Sequence, residues 1–144
     1  RQALAEARLA PTDIDYVCAH GIGNREYDAA DMRAIKLVLG ERAYGVPVSS
    51  IKGTTGQPFA AGGAWQLTAA CMTLQTGIIA PTINYRVPDP DCDLDCVPNR
   101  ARAARVDTVM INSHSFGGTH AALLIRRFDP AVTRRGGSRL LLAH

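Results

Sequence analysis

Long hydrophobic runs are absent from this sequence of 144 residues. No stretch reaches the ~18 consecutive apolar residues that a membrane span requires. The opening segment, RQALAEARLAP, carries charges where a secretory signal would be apolar. We therefore expect no membrane segment and a cytoplasmic location.

A pattern of metal ligands is also missing. The four cysteines are Cys18, Cys71, Cys92 and Cys96, and no second Cys or His pair accompanies the last two. This spacing does not complete a tetrahedral zinc site. Two of the cysteines lie in hydrophobic runs of a chain that otherwise looks cytosolic. We therefore expect reduced thiols and no metal.

Signatures of nucleotide and nucleic-acid binding are missing as well. The glycine-rich stretch GTTGQPFAAGG is not followed by the GK[ST] of a phosphate-binding loop, and it does not match a dinucleotide fingerprint. The formal charge of +3 comes mostly from arginines near the C-terminal end, without interleaved aromatic residues. We expect no cofactor, no nucleic-acid partner and a flexible basic tail over 129–144.

The composition that remains is typical of a soluble globular domain. Apolar residues make up 47% and charged residues 20% of the chain. A chain of this length buries roughly 70% of the surface that its extended form would expose. We expect one domain over 1–128.

Hydrophobic patterning predicts a layered α/β fold, in the order helix, strand, helix, strand, helix, strand, strand. The predicted strands are 14–19, 46–52, 106–113 and 121–128, the last two antiparallel, with a further short strand at CDLDCV. The predicted helices are RQALAEARLA, 28–39 and the apolar, buried stretch AWQLTAACMTLQTG.

Two groups of side chains on these helices have simple structural interpretations. The charged Asp31, Arg33 and Lys36 are predicted to form the solvated face of the helix over 28–39. The apolar helix carries four large side chains at helical spacing, which are predicted to be core or interface: Trp65, Leu67, Met72 and Leu74.

Polar side chains stand at the carboxyl ends of three predicted strands, namely His20, Lys52 and the pair Asn112-Ser113. In layered α/β sheets such positions face the ligand crevice. His20 either donates a hydrogen bond or a proton to a carbonyl oxygen or is satisfied by a backbone carbonyl. Lys52 either needs an anionic partner in a crevice, because burying its charge is costly, or lies on an exposed loop.

Glycine-rich turns flank the same region. GTTGQPFAAGG indicates either backbone that passes close to a ligand or a helix packed tightly against its neighbour. SFGGTH joins the last two strands and is predicted to line the crevice, with Phe116 as a gate and His120 in a structural role.

Five stretches stand out as an ordered set over roughly residues 10–128. They are IDYVCAHGIGN, with Asp28 eight residues after its histidine, VPVSSIKGTTG, the apolar helix ending in GIIAPTINY, PDPDCDLDCVPN, and INSHSFGGTHAALLIRR. Together they resemble the C-terminal half of β-ketoacyl-acyl-carrier-protein synthases. Each stretch alone is a weak signal, but their order makes the resemblance specific.

The resemblance implies a thiolase-like fold of two similar halves, each a mixed five-stranded sheet layered with helices, with this chain as the second half. It implies three partners: the N-terminal half, a second ketosynthase-like chain in a dimer, and acyl carrier protein. It also implies a decarboxylative Claisen condensation. A cysteine of the N-terminal half holds the acyl chain, two histidines stabilise the enolate oxygen, and a lysine paired with a glutamate holds the histidines in place.

Several residues carry over by position. His20 matches the first histidine, in the motif HGTGT, and Lys52 matches the lysine. Asp28 matches an aspartate that follows the histidine motif. The substrate-facing hairpin turn, which gates the acyl pocket, corresponds to Phe116, Gly117 and Gly118.

The departures from the family pattern lie at the reaction centre. Gln57 replaces the second histidine, of the motif TGH, and Gln66 replaces the glutamate. HGTGT is HGIGN here, and NSFGFGG is NSHSFGG. A glutamine amide donates a hydrogen bond but cannot carry a proton or charge as histidine does. None of the four cysteines matches the nucleophile.

Three hypotheses follow. The leading one is the C-terminal part of a ketosynthase-like protein of polyketide or fatty-acid biosynthesis, altered as in chain-length factors, because Gln57 and Gln66 both touch the reaction centre. Retention of His20 favours the alternative, an active synthase in which Gln57 serves as a donor. The third is an independent binding module.

Overall fold

The predicted helices and strands occur in the predicted order, with one additional short helix and two additional short strands. The computed structural model describes residues 1–129. In chain order its elements are α1 (Gln2–Ala7), β1 (Tyr16–Cys18), α2 (Arg25–Leu39), β2 (Val48–Ser49), α3 (Lys52–Thr55), α4 (Gly62–Thr76), β3 (Ile78–Ile79), β4 (Arg102–Ala103), β5 (Thr108–His114) and β6 (His120–Arg126). The tail predicted over 129–144 lies, apart from Asp129, outside the described residues.

The main sheet is mixed and has the strand order β2-β1-β5-β6. Strand β1 pairs in parallel with β2 and with β5, so the carboxyl ends of these three strands meet at one edge. Strands β5 and β6 form the predicted antiparallel hairpin, in a register that places His114 opposite His120. A separate two-stranded sheet joins β3 to β4.

Helices cover both faces of this sheet, which makes the fold layered. Side chains of β1 alternate between the faces: Val17 packs with Ile35 of α2, whereas Tyr16 and Cys18 pack with Ala70 of α4. Helix α2 begins where the Asn24 side chain accepts hydrogen bonds from the N–H groups of its first turn. The layered α/β fold class is thereby confirmed.

Strand content departs from expectation between β3 and β5. Within residues 1–129 the main sheet has four strands, where the resemblance implies five. The strand predicted at CDLDCV is wrong. That segment makes one backbone hydrogen bond to the edge of β2, from Val48 N–H to the Asp95 carbonyl, at 2.8 Å. The Asp95 carboxylate accepts from Val97 N–H at 3.2 Å. This local side-chain bond favours a turn over a strand ladder.

The strand predicted over 46–52 is also wrong in its length. Pairing is confined to Val48–Ser49, and Lys52 begins the short helix α3. Gly53 of this helix lies against Ile83, since a Cβ at Gly53 would come within 2.8 Å of the Ile83 side chain. Tight packing of backbone therefore accounts for this glycine.

Helix α4 is only partly buried, so the prediction of a wholly buried helix is wrong for this chain. Leu74 is buried and Leu67 packs against the core, whereas Trp65 and Met72 are exposed. The helix is apolar around its circumference, but only one face meets the sheet. The opposite face has no cover among residues 1–129, as we expect if another half or chain covers it.

No helix within residues 1–129 is both long enough and apolar enough to cross a membrane.

Candidate functional site

His20 lies at the sheet edge where the parallel strands end. It follows β1 by two residues and is buried. The next residue, Gly21, has a positive φ of 34°, and a Cβ at this position would come within 2.7 Å of the Ser50 Cβ. The Ser50 hydroxyl donates to the Gly21 carbonyl at 2.6 Å. The close approach of these two loops therefore requires glycine after the histidine.

Both backbone groups of His20 are fixed by side chains from neighbouring helices. Its N–H donates to Asp31 Oδ2 of α2 at 3.0 Å. Its carbonyl accepts a short hydrogen bond from Lys52 Nζ of α3. Both contacts are buried, so they hold the residue without competition from water.

The imidazole of His20 has a defined tautomer. The backbone N–H of His114 donates to His20 Nδ1 at 3.2 Å. A backbone N–H can only donate, so Nδ1 must be the unprotonated nitrogen and Nε2 must carry the proton in the neutral ring. Burial, with the nearby Lys52 charge, lowers the pKa of His20 to about 4. At neutral pH His20 is thus a neutral Nε2–H donor.

Lys52 is buried at the start of α3, and burial lowers its pKa. It makes no ion pair with a carboxylate within 4.0 Å among residues 1–129. The His20 carbonyl takes the place of the glutamate that the family pattern pairs with this lysine. The predicted link between Lys52 and His20 therefore exists, through the backbone of the histidine.

Gln66 has a role that a glutamate could not perform. Its Nε2 donates to the carbonyl oxygens of Cys18, Ala19 and Asn112, at 3.2, 2.9 and 2.8 Å. The side chain is almost completely buried, at 1% exposure. A carboxylate has no hydrogen to donate and would face three oxygens. Gln66 therefore joins the ends of β1 and β5 to α4, next to His20.

Asp28 shapes the loop between His20 and α2. Its carboxylate accepts from Ile22 N–H at 2.8 Å and from Gly23 N–H at 3.0 Å. Burial raises its pKa, and these two hydrogen bonds partly oppose the shift. These contacts give Asp28 a structural role in the loop next to the site.

Gln57 lies in a different setting. With Lys52 it lines a cavity of about 640 Å³, which runs between α2 and the segment over 82–92. His20 and Phe116 are not among the residues that line this cavity. Gln57 Oε1 is buried without a hydrogen-bond partner among residues 1–129. The structure therefore places Gln57 with Lys52 but describes no contact between Gln57 and His20.

The hairpin turn lies on the outside of the site. Phe116 is exposed, and its ring lies 5.8 Å from that of Tyr27 and 6.5 Å from that of Phe59. The turn closes through Gly118 N–H, which donates to the Ser115 carbonyl at 3.1 Å. Gly117 and Gly118 are exposed beside it. These contacts group the predicted gate with two other aromatic residues.

Asp31 and His114 were not among the predicted site residues, and Asp31 was wrongly predicted to be exposed to solvent. Asp31 is buried at 4% exposure and belongs to the site, not to the solvated face of α2. Its position one turn after Asp28 would have placed both carboxylates on the same side of the helix. His114 donates to His20, and its ring contacts His120. His114 and His120 flank the predicted turn symmetrically. This placement was the signal in the sequence that the two side chains would meet.

None of the cysteines is placed as a nucleophile. Cys18 is fully buried, and burial raises its pKa. Burial also raises the pKa of Cys92, and it raises that of Cys96 to about 11. Cys71 lies on the exposed face of α4. Raised pKa values disfavour the reactive thiolate form.

No group of three or more His, Cys, Asp or Glu side chains within the described part of the chain could hold a metal ion.

Comparison with known proteins gives a consistent family. The family model for the β-ketoacyl synthase C-terminal domain matches residues 1–86, more than half of the chain. The tetracenomycin polyketide synthase ketoacyl synthase alpha subunit of Streptomyces glaucescens is 47% identical over 132 residues. The 3-oxoacyl-[acyl-carrier-protein] synthase 2 of Coxiella burnetii is 42% identical over 130 residues. The two matches cover 92% and 90% of this chain but only 30% and 31% of those proteins.

Solved structures agree with the sequence comparisons. A type II polyketide synthase ketosynthase in complex with its acyl-carrier protein matches with a TM-score of 0.87 and 39% identity. The ishigamide ketosynthase/chain length factor matches with a TM-score of 0.85 and 36% identity. These matches cover 89% and 90% of this chain and 31% and 32% of those chains. The chain therefore belongs to the β-ketoacyl synthase family and corresponds to its C-terminal domain.

Proposed function

We propose that this chain supplies the oxyanion-stabilising part of a condensing site in polyketide or fatty-acid biosynthesis. The reaction is a decarboxylative Claisen condensation of acyl and malonyl units carried on acyl carrier protein. One observation carries the proposal: His20 is held as a neutral Nε2–H donor by Asp31, Lys52 and the N–H of His114.

This geometry suits a developing enolate. When the malonyl thioester loses carbon dioxide, the electrons of the broken C–C bond move towards the thioester carbonyl, and negative charge grows on its oxygen. A donor that is already fixed in direction stabilises that charge without reorganisation during the reaction. The carbanion then attacks the acyl thioester, and the thiolate of the N-terminal half leaves. His20 needs to donate a hydrogen bond in this step, but it does not need to lose its proton.

Gln57 is the proposed second donor. Its Nε2–H₂ group is able to donate to the same oxygen, but it cannot supply the charge of an imidazolium. Its side chain lies beside Lys52 in the cavity, and the buried Oε1 has no partner among residues 1–129. Gln57 is thus less constrained than His20, and we assign it a smaller share of the stabilisation.

A chain-length-factor-like subunit is the second candidate. It is favoured by Gln57 in the position of an imidazole and by Gln66, which binds backbone carbonyls instead of pairing with Lys52. In this role the chain would shape the pocket of an active partner. The fixed donor geometry of His20 is the reason for ranking the condensing role first, although the sequence alone favoured the altered subunit.

The exposed apolar surface supports the predicted partners. Trp65 and Met72 on α4, together with Phe59 and Phe116 beside the site, are exposed in this chain. Among residues 1–129, β6 pairs with β5 on one side and with no strand on the other, and an edge strand of this kind offers backbone groups for further pairing. We propose that the N-terminal half of the protein and a second ketosynthase-like chain cover these surfaces, and that acyl carrier protein delivers the substrate.

The test is carbon dioxide release from malonyl carried on acyl carrier protein. The chain is assembled with its N-terminal half and assayed without any other ketosynthase. The condensing role predicts release that depends on His20. An absence of release, restored only when an active ketosynthase is added, would support the chain-length-factor-like role instead.

A further inference from the structure

The hairpin that closes the main sheet ends in a pair of facing histidines. His114 and His120 are directly opposite each other, at the last paired position of β5 and β6. Their Nδ1 atoms lie 2.6 Å apart, and their ring centroids lie 4.7 Å apart. His114 is half-buried and His120 is exposed in this chain. The proposed condensing mechanism makes no use of the pair as such.

A buried carboxylate continues the chain of contacts inward. His114 Nε2 lies 3.1 Å from Asp31 Oδ1, and Asn112 Nδ2 donates to the same oxygen at 3.3 Å. The other oxygen, Oδ2, accepts from His20 N–H at 3.0 Å. A carboxylate only accepts, so His114 Nε2 must carry a proton. Asp31 therefore joins the histidine pair to the backbone of His20.

The short contact between the two Nδ1 atoms orients the His114 ring. A hydrogen bond between them needs one nitrogen with a proton and one without. Because His114 Nε2 carries a proton towards Asp31, the Nδ1 of the neutral His114 ring accepts and His120 donates from its own Nδ1. His120 therefore fixes the ring that contacts the Asp31 carboxylate.

His114 also contacts His20 directly. Its N–H fixes the Nδ1 acceptor of His20, and the two rings lie 5.2 Å apart in an edge arrangement. Any positive charge on the pair therefore opposes protonation of His20 through a short distance. The hydrogen bond to Nδ1 and any charge on the pair both favour the neutral ring of His20.

We infer that Asp31, His114 and His120 form a positioning device for His20. His120 orients the His114 ring, the His114 ring holds the Asp31 carboxylate, and Asp31 together with the His114 N–H holds His20 as an Nε2–H donor. For the use of His20 the inference rests on the proposed function. The contacts among Asp31, His114 and His120 stand independently of that function.

The charged groups around the pair agree with this arrangement. Asp31 faces it from α2, with Asp28 one turn earlier on the same helix. Lys52 approaches from α3 through the His20 carbonyl. Between Gly62 and Thr76, α4 carries no acidic or basic residue. Asp31 is thus the carboxylate in contact with the pair, and Lys52 is the cation nearest to His20.

The first experiment is a pH titration of the assembled protein, labelled with ¹⁵N-histidine and followed by ¹H–¹⁵N NMR from pH 8 to pH 5. Single substitutions at each of the three histidines assign the rings. We expect His20 to carry a proton only on Nε2 throughout. A protonated Nδ1 on His20 would overturn the inference.

Two matched variants separate positioning from general structure. His114→Gln keeps a donor towards Asp31, whereas His114→Phe keeps a ring without any donor. We expect both variants to keep the Nε2–H tautomer of His20, because the backbone N–H at position 114 remains. His114→Phe should loosen Asp31 and lower kcat about tenfold with little change in KM, and His114→Gln should restore most of kcat. Equal kcat values for the two variants would contradict the inference.

The two proposals fail in different ways. A protein that releases no carbon dioxide but shows the expected histidine spectra would refute the proposed function and leave the positioning device standing. A protein that releases carbon dioxide at the same rate with His114→Phe as with the wild-type residue would refute the device alone.

Discussion

Two segments bring polar side chains to the candidate site, and they are held in opposite ways. At His20 the backbone N–H, the backbone carbonyl and the ring Nδ1 each have a partner. At Gln57 the side-chain oxygen is buried without one among residues 1–129. A donor that is fixed in direction contributes to catalysis through preorganisation, whereas a loosely held amide contributes less. The difference assigns the main chemical role to His20.

Removing His20 is the change with the largest expected effect. His20→Ala deletes the fixed donor, and loss of one such donor typically costs on the order of 10²–10³ in rate. We expect a fall of that size in carbon dioxide release from malonyl carrier, with the circular dichroism spectrum retained. A fall of less than tenfold would mean that the fixed donor, His20, does not carry the chemistry.

The hydrogen bonds that Gln66 makes next to His20 can be removed separately. Gln66→Glu replaces three donated hydrogen bonds to backbone carbonyls with a carboxylate that faces the same oxygens. We expect a loss of ~2–3 kcal/mol in the free energy of unfolding, because a buried acceptor is left against acceptors. Urea denaturation of the assembled protein measures this loss. The matched control is Gln75→Glu, the same change at an exposed position of α4, which should be nearly neutral. Equal losses would contradict the account.

The neutral state of His20 makes a prediction about pH. Its pKa is about 4 in the folded protein against an ordinary value of 6.5. Between these values the unfolded state binds more protons, so this contribution to stability is complete above pH 6.5 and is lost as pH falls towards 4. We expect the stability of the wild-type protein, relative to His20→Gln, to fall between pH 7 and pH 4.5 in urea denaturation. A constant difference across this range would be inconsistent with a neutral buried ring.

Changing Gln57, the loosely held residue, should have the smallest effect on the reaction rate. Gln57→His introduces the imidazole that the family pattern has at this position. If His20 already provides the fixed donor, we expect carbon dioxide release to rise by less than about tenfold. A gain of several hundredfold would show that the second position limits the reaction, and it would sharpen the case for an altered subunit.

Much of the fold follows from the sequence because its signals are local. The apolar run that predicts β1 and the helical spacing that predicts α2 both appear in the structure. The segment over 92–97 misled the prediction because the Asp95 carboxylate bonds to the nearby N–H of Val97, which competes with a strand ladder. Local pattern therefore identifies elements best where side chains do not bond to their own backbone.

The site was predictable only in part. His20 was placed correctly after a strand end, and Lys52, although it begins α3, contacts His20, since parallel strands bring their carboxyl ends together. Asp31 was assigned to solvent because charged residues on an amphipathic helix usually are exposed. Its burial depends on partners distant in sequence, at His20 and His114, and no local pattern encodes such contacts.

The most direct test of the central claim is carbon dioxide release by the assembled wild-type protein, measured beside His20→Ala with malonyl carried on acyl carrier protein. Our account predicts release from the wild type at a rate at least a hundredfold above that of the variant. Equal, background-level release from both proteins would contradict it, because a fixed Nε2–H donor at His20 would then serve no condensing reaction.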